Sequence, residues 1–540
     1  MFSHNQLLRI YQSYGKQPDV EYYTGDMEHI RTYYQTRAAQ EPDRFYIDDT
    51  TWQDLNMDAV YKRINAGLST AGEQYLYYML RRPMDRRQYE QHQKLTELAD
   101  REPDTRKGLQ KILWRIGRYR PIDLDSMLTT HTASPFWLAF YIILSLLVLP
   151  ALVITFIRPD VGIWILLPVL ITNSILHEYR TTRCQREIHT VNYCVGLAQA
   201  LSKVKKLGHP VLDAQLQSAY AHLEKLRSIL RIGPVLTGSR GDIVSMLMTV
   251  LLWDLISFEL LKNRFARHRV HFAVIHEAVG QLDASIAIAS WRASMDRWAL
   301  PRLDFDAQEA FLEANEVVHP LLDTPVPNDV SLPRPLLITG ANASGKSTYL
   351  KAVILCALLA QTTGTAPCTR YRSSPFRIYT SMAIADSIQA GESYYIAEIR
   401  SLKRILDARR DSSPVLCAVD EVLRGTNTIE RIAASTEILR TLGGSGTLAL
   451  VATHDAELCD LVADQYQLAH FQEEITDKDI RFDYRIRPGK ATSRNAIDLL
   501  RLMGFDAAIV DAAHKRASGY LETGRWGGTN EFFVNDDSSK

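Results

Sequence analysis

The sequence predicts a multidomain chain: a mainly α-helical region carrying a transmembrane-type helical hairpin, followed by an α/β domain. Three observations carry this. Phe136 to Ile157 is a run of 22 residues without one charge, and ~20 apolar residues suffice to cross a bilayer core. From about Pro301 the pattern changes from helical periodicity to short apolar runs separated by prolines and turns. In that second region a glycine-rich loop, Gly340 to Thr348, lies between a short apolar run, Pro335 to Thr339, and a helical stretch from Tyr349.

The bulk composition sets limits. A chain of 540 residues has room for three or four domains of ~100–200 residues each. Lys plus Arg number 62 and Asp plus Glu number 62, so the net charge is zero. No global field attracts a polyanion, and any such partner must use a local basic patch. The six cysteines form no C-x-x-C pair and no metal-like spacing. That usage fits packed thiols in a reducing compartment. Met1 to Gln6 lacks the charged-then-apolar layout of a cleaved signal peptide.

Taken in order, residues 1–45 are polar and tyrosine-rich, with helical stretches at Gln6–Tyr14 and Asp26–Ala39. Leu76, Met79 and Leu80 share one face of a helix that Arg81-Arg82-Pro83 ends. Arg86 to Asp125 reads as helical and holds a basic cluster: Arg106, Lys107, Lys111, Arg115, Arg118 and Arg120. Three readings of that cluster stay open: contact with nucleic-acid phosphates, a solvated helix face, or a charge belt beside the membrane.

After Phe136–Ile157 a second apolar run, Val161 to Leu176, contains Pro168, Asn173 and Ser174. At ~1.5 Å per residue it spans a ~30 Å core only by recruiting its flanks. Residues 136–176 are therefore the expected membrane contact. Arg118 and Arg120 before them, and Arg180, Arg183 and Arg186 after them, put both ends in the cytoplasm. The chain is expected at the cytoplasmic face, integral or tightly associated. A third apolar stretch, Ile243 to Leu261, contains Asp254 and Glu259. Acids inside a span are costly, so a buried or interfacial helix is expected there.

The loop Gly340, Ala341, Asn342, Ala343, Ser344, Gly345, Lys346, Ser347, Thr348 fits the P-loop pattern G-x-x-x-x-G-K-[ST]. Its backbone N–H groups and the following helix N-terminus would face phosphates. Lys346 would reach the β- and γ-phosphates and the Ser347 hydroxyl would ligate Mg²⁺, so ATP and Mg²⁺ are the expected cofactors. Pro414 to Glu421 is an apolar strand ending in two adjacent acids. Asp420 would hold the metal, and Glu421 would act as general base on the attacking water. Thr447 to His454 is another core strand with a polar end, where His454 would bond the γ-phosphate. Between them, Gly391 and Ser393 open a helix and form an anion site that a neighbouring protomer's ATP could use.

From about Phe45 onward these residues resemble the MutS family of DNA mismatch-repair ATPases. The likeness rests on Thr339–Thr348, Leu359–Gln361, Gly391–Glu398, Asp420–Asn427 and Ala452–Leu458, with His319-Pro320 and Pro327–Asp329 as lead-in. Asn56–Pro83 and His276–Ala289 resemble the two ends of that family's core domain. Tyr484–Gly489 and Ser493–Ile497 resemble its closing strand and helix.

The resemblance implies an ABC-type P-loop ATPase domain that hydrolyses ATP to ADP and phosphate in a homodimer around two ATP molecules. Ser393 would touch the partner's γ-phosphate, Asn342 would support the loop and metal, and Arg424–Thr428 would couple the two sites. The implied partner is duplex DNA, mismatched or otherwise distorted, read by shape and backbone while ATP turnover moves clamp or lever helices. Protein partners of a repair type are not named by it.

The implied layout is an N-terminal helical segment (1–45), the first part of the core (46–130), the hairpin (131–180), core and lever helices (181–300), the ATPase domain (301–520) and a polar tail (521–540). Two departures bear on the load rather than the engine. About 45 residues precede the core, too few for a mismatch-reading domain, and the apolar hairpin sits within the core. The alternative expectation is a membrane-associated ABC-type ATPase machine acting on a protein or membrane partner without DNA.

Overall fold

A computed structural model describes residues 4–119, 134–227, 229–230, 248–341, 344–382, 394–410, 413–424, 426–476, 479–491, 497, 500–501, 503–523 and 526. The chain forms two compact units. The first comprises Met1–Tyr46, Met57–Trp298 and Leu359–Thr365; the second comprises Ile47–Asn56, Ala299–Leu358 and Ala366–Lys540.

The first unit is helical: α1 (His4–Gln12) and α2 (Asp26–Gln40), then, after α3 (Asp49–Asp54) of the second unit, α4 (Met57–Ile64), α5 (Thr70–Arg81), α6 (Arg86–Arg101) and α7 (Pro103–Trp114). The hairpin follows as α8 (Pro135–Ile157) and α9 (Pro159–Lys205), and then come α10 (Pro210–Lys225), α11 (Trp253–Arg267) and α12 (Arg269–Ser294). Its core is discontinuous in sequence: Leu95, Leu98 and Leu113 from before the hairpin pack with Leu197, Leu201, Leu216 and Leu282 from after it.

One buried polar knot fixes α5 to α12. Ser69 caps α5 by accepting from Gly72 N at 3.1 Å and donates its own hydroxyl to Asp283 at 2.6 Å. The Asp283 carboxylate also accepts from the backbone N–H of Ser69 at 2.8 Å and of Leu68 at 3.0 Å. Gly72 is required at this crossing, because a Cβ there would lie 2.2 Å from an Asp283 oxygen. Beside it, the Glu73 carboxylate, fully buried, accepts from Asn65 at 3.2 Å and lies 3.3 Å from Arg118.

The helices α8 and α9 each begin on a proline, whose fixed φ and missing N–H suit a first helical position. Pro135–Ile157 and Pro159–Cys184 are long and apolar enough to cross a membrane, with mean hydropathy 2.7 and 1.6 and only 17 % and 11 % buried. The α12 helix also has the length and composition, with hydropathy 1.3, but is 78 % buried as a core helix. The second run does not stop at Leu176: α9 is a single helix of 47 residues that enters the core of its unit. That supplies the flank which the short apolar run lacked.

From Trp253 the third apolar stretch lies in α11, which packs on both hairpin helices, and residues 243–247 lie outside the described residues. Its acids meet polar hairpin side chains: Asp254 lies 3.8 Å from His177 and the buried Glu259 lies 3.9 Å from Arg180. Arg180 also donates to the Tyr141 hydroxyl at 2.7 Å and sits over the Trp137 ring. Asn173, fully buried, donates to the Val250 carbonyl at 2.8 Å.

The second unit holds two sheets. The strands β1 (Arg302–Leu303), β2 (Leu312–Val317), β3 (Asn328–Leu332) and β5 (Arg370–Ser373) form one, in the order β1-β5-β2-β3. The other contains β4 (Leu336–Thr339), β6 (Arg377–Ser381), β7 (Val415–Asp420), β8 (Thr447–Ala452), β9 (Gln467–Thr476) and β10 (Asp479–Pro488), in the order β10-β9-β4-β8-β7-β6. Every pairing in this larger sheet is parallel except β9 with β10. Between these strands lie α13 (Lys346–Thr363), α14 (Tyr394–Ala408), α15 (Thr428–Leu442) and α16 (Ala456–Leu461), and α17 (Ala507–Thr523) follows. β4, β7 and β8 are unbroken apolar runs, as central parallel strands covered on both faces must be. The α3 segment packs on β6, where Asp54 accepts from the Thr380 hydroxyl at 2.7 Å and from Met382 N at 3.0 Å.

Candidate nucleotide site

In a parallel sheet the open groups lie beyond the carboxyl ends of the strands. Here three adjacent parallel strands, β4, β8 and β7, end at Thr339, Ala452 and Asp420. The glycine-rich loop, His454 and the Asp420-Glu421 pair are therefore carried to one edge by sheet order alone.

The loop leaves β4 at Gly340, with φ 142°, where an added Cβ would lie 2.9 Å from the Phe471 carbonyl oxygen. Only glycine fits there without displacing β9. Lys346 opens α13 and is buried; its Nζ donates to the carbonyls of Gly340 at 2.7 Å and Ala341 at 2.8 Å. The Ser344 hydroxyl is buried without a hydrogen-bond partner among the described residues. A buried hydroxyl left unmatched costs about 1–3 kcal/mol, so the loop has an unused polar group where an anion would sit. Ser347 and Thr348 are exposed in the first turn of α13. Asn342 and Ala343 lie outside the described residues, as does Ser393.

Beside the loop is a cavity of about 280 Å³, lined by His319, Val326, Gly345, Tyr349, Phe471 and Tyr484 among others. Burial and, less strongly, the Lys351 charge push the His319 imidazole down to about 4, so the ring is neutral near pH 7. An apolar, aromatic-walled hollow with a neutral imidazole suits a flat heteroaromatic ring.

Glu421 follows the last residue of β7 with a positive φ of 65°, held by its N–H donating to the Ala452 carbonyl at 2.9 Å. Its two oxygens are engaged: Oε1 lies 3.1 Å from His454 Nδ1, and Oε2 accepts from the Arg424 guanidinium. Burial works to raise the carboxyl, but the His454 and Arg424 hydrogen bonds and charges outweigh it and bring it down to about 2. The reciprocal hydrogen bond to Glu421 raises His454 above the usual imidazole range. Next to it, Asp455 takes a two-point ion pair from Arg431, at 3.0 and 2.7 Å.

Sequence reasoning placed Glu421 and His454 in separate roles and did not pair them, because pairing depends on β7 and β8 being neighbours. It also assigned no role to Glu398 of α14, whose buried carboxylate accepts from Leu423 N at 2.5 Å and Arg424 N at 3.4 Å. Glu398 thus fixes the turn that carries Arg424. Its place in Gly391–Glu398 marked it in the sequence, but nothing there named its target.

Among the described residues no group of three His, Cys, Asp or Glu side chains could hold a metal by itself.

Comparison with known proteins gives the same domain. Residues 336–520 match the family described as MutS domain V. The DNA mismatch repair protein MutS of Natronomonas pharaonis is 34 % identical over 281 residues, covering 48 % of this chain and 32 % of that protein. The protein of the same name from a Synechococcus strain is 30 % identical over 294 residues, covering 53 % and 32 %. A DNA mismatch repair protein MutS 2 of Haloarcula marismortui is 28 % identical over 281 residues, covering 47 % and 29 %. The chain thus spans about a third of the length of the curated relatives it matches. Residues 336–520 thus match MutS domain V, and over about half its length the chain is similar to the MutS proteins.

Proposed function

We propose that the chain is a MutS-like ATPase of ABC type, working as a homodimer that binds duplex DNA and is tethered to the cytoplasmic face of a membrane by α8 and the apolar part of α9. The observation that carries the engine is the convergence of the P-loop, Asp420-Glu421 and His454 at three adjacent parallel strand ends.

The residues fit MgATP. Lys346 would leave the carbonyls of Gly340 and Ala341 for the β- and γ-phosphates, and the Ser344 hydroxyl would gain a partner. The base would enter the cavity between His319, Tyr349 and Phe471. Mg²⁺, held by Ser347 and through Asp420, would neutralise charge on the phosphate oxygens. Glu421, ionised at all physiological pH values, would orient the attacking water. His454, raised and hydrogen-bonded to it, would donate toward the γ-phosphate oxygens. From the partner protomer, Ser393 would close the site.

The DNA reading is supported by the MutS relatives, whose names place them in mismatch repair. The exposed apolar hairpin favours a second reading, an ABC-type machine driving a protein or membrane partner without DNA. Gel retardation of a short duplex by the full chain, alongside ATPase assays, separates the two. Retardation that weakens steeply with salt and DNA-stimulated hydrolysis are expected. Intact ATPase activity with no retardation at low salt selects the second reading.

A further inference from the structure

The basic cluster of residues 106–120 does not act as one group. Arg118 is turned inward, donating to the Gly67 carbonyl and lying 3.3 Å from Glu73. Arg106 donates to the Ala99 carbonyl at 2.7 Å and lies over the Tyr14 ring. Lys107 stands 3.9 Å from Asp104. Arg120 lies outside the described residues.

The remaining two, Lys111 in the last turn of α7 and Arg115 at its C-cap, are exposed, whereas Leu109 and Leu113 are buried. The α9 helix packs against α7 and brings two more exposed cations, Lys203 in its last turn and Lys206 at its C-cap. None of the four has an acidic side chain within ion-pair distance among the described residues, whereas Lys205 between them is paired to Glu224 at 2.9 Å. Burial of its stem, then the Arg115 and Lys206 charges, hold the Lys203 ammonium below its usual range. Like charges crowded this way are relieved by an anion.

We infer that Lys111, Arg115, Lys203 and Lys206 form a landing surface for the phosphate backbone of a nucleic-acid duplex. The surface rests on the DNA reading above and gives it a location. Two features select a duplex over the other polyanions at hand. The four cations stand on the last turns and caps of two rigid helices, and one half-buried indole, Trp114, is the aromatic beside them; this suits rows of phosphates better than the serial stacking of unpaired bases. They are also too far from lipid. The apolar part of α9 ends at Cys184, so Lys203 lies about 28 Å further along at ~1.5 Å per residue. Headgroup charge is screened beyond about 8 Å at physiological salt. The exposed Arg183, at the end of the apolar run, is the cation placed nearer to lipid on this helix.

The test uses the full chain in detergent micelles and a 30-base-pair duplex titrated between 50 and 200 mM salt. Wild type is compared with Arg115→Glu/Lys203→Glu and with the neutral pair Arg115→Gln/Lys203→Gln, each checked for unchanged ATP affinity. Charge reversal is expected to weaken binding at least tenfold at low salt. In both pairs the slope of log K against log salt should become shallower by about 2, one per lost phosphate contact. Wild type that fails to bind duplex at any salt overturns the DNA reading and this surface with it. Wild type that binds, with both pairs unchanged in affinity and slope, overturns the surface alone. Unchanged duplex binding with weakened retention on vesicles of anionic lipid makes the patch a lipid contact and likewise overturns the assignment.

Discussion

Glu421 and His454 meet across neighbouring strand ends, Oε1 to Nδ1 at 3.1 Å, while Arg424 occupies the other carboxylate oxygen. A carboxylate held this way is a poor proton acceptor but a well-placed hydrogen-bond acceptor. On the proposed function, the dyad would divide the labour: Glu421 would align water and His454 would carry the proton.

Replacing Glu421 by Gln keeps the shape and removes the charge. Nucleotide affinity should stay within a few-fold, while turnover falls at least about 100-fold, the lower end of what a positioned acid–base group contributes. Single-turnover hydrolysis measured beside equilibrium ATP binding checks this. Turnover at the wild-type rate removes Glu421 from the chemistry.

Arg424 is the lever on that carboxylate. With it present, the folded Glu421 sits near 2, below its ordinary 4.5. The stabilisation is fully present above the ordinary value and is lost as pH falls from 4.5 through 2. Arg424→Ala should move the acid limb of the pH–rate profile upward by part of the shift, since the His454 hydrogen bond remains, without altering the basic limb. A limb that does not move shows that Arg424 leaves Glu421 untuned.

Gly340→Ala places a methyl 2.9 Å from the Phe471 carbonyl oxygen at a φ of 142°. The loop must then shift away from β9. ATP affinity is expected to drop at least tenfold, with a stability loss of about 1–3 kcal/mol typical of strained backbone sites. Isothermal titration together with thermal unfolding reads both, and unchanged affinity would show that the loop tolerates a side chain there.

Asp283 gives the first unit a pH signature. Burial outweighs its hydrogen bonds and raises the carboxyl from 3.8 to about 6. The folded state then holds a proton that the unfolded chain has released, so stability is greatest below pH 3.8 and falls as pH rises to 6. Asp283→Asn should erase that slope. It should also cost about 1–3 kcal/mol, because an amide N–H₂ would face the Leu68 and Ser69 donors. Melting temperatures of both proteins across pH 4–7 test it through their difference.

Much of this molecule was legible in the sequence. β4, β7 and β8 announced themselves as unbroken apolar runs, and the P-loop and paired acids sit at their ends because the chemistry requires those residue types there. Three things were not legible, each for a physical reason. The Glu421–His454 pair depends on which strands are neighbours, which no local pattern encodes. The sorting of the basic cluster depends on Gly67, Glu73 and Tyr14 arriving from elsewhere to take Arg118 and Arg106 out of it. The length of α9 was not legible either, because the apolar run stops at Leu176 and places the end of the hairpin near residue 180. The hydrogen-bonded backbone does not stop there, since nothing between Leu176 and Lys205 breaks a helix.

The split core of the first unit has a consequence for synthesis. Leu95, Leu98 and Leu113 are made well before Leu197, Leu216 and Leu282, and α8 with the start of α9 emerges between them. The early helices pack on one another but lack the α9, α10 and α12 side of their core while the apolar hairpin is leaving the ribosome. On the proposed topology the hairpin must be delivered to lipid before its own cytosolic scaffold exists to shield it. Such a nascent chain depends on targeting factors and chaperones for the interval of about 170 residues between Leu113 and Leu282, which at ~5–20 residues per second lasts from roughly ten to thirty seconds.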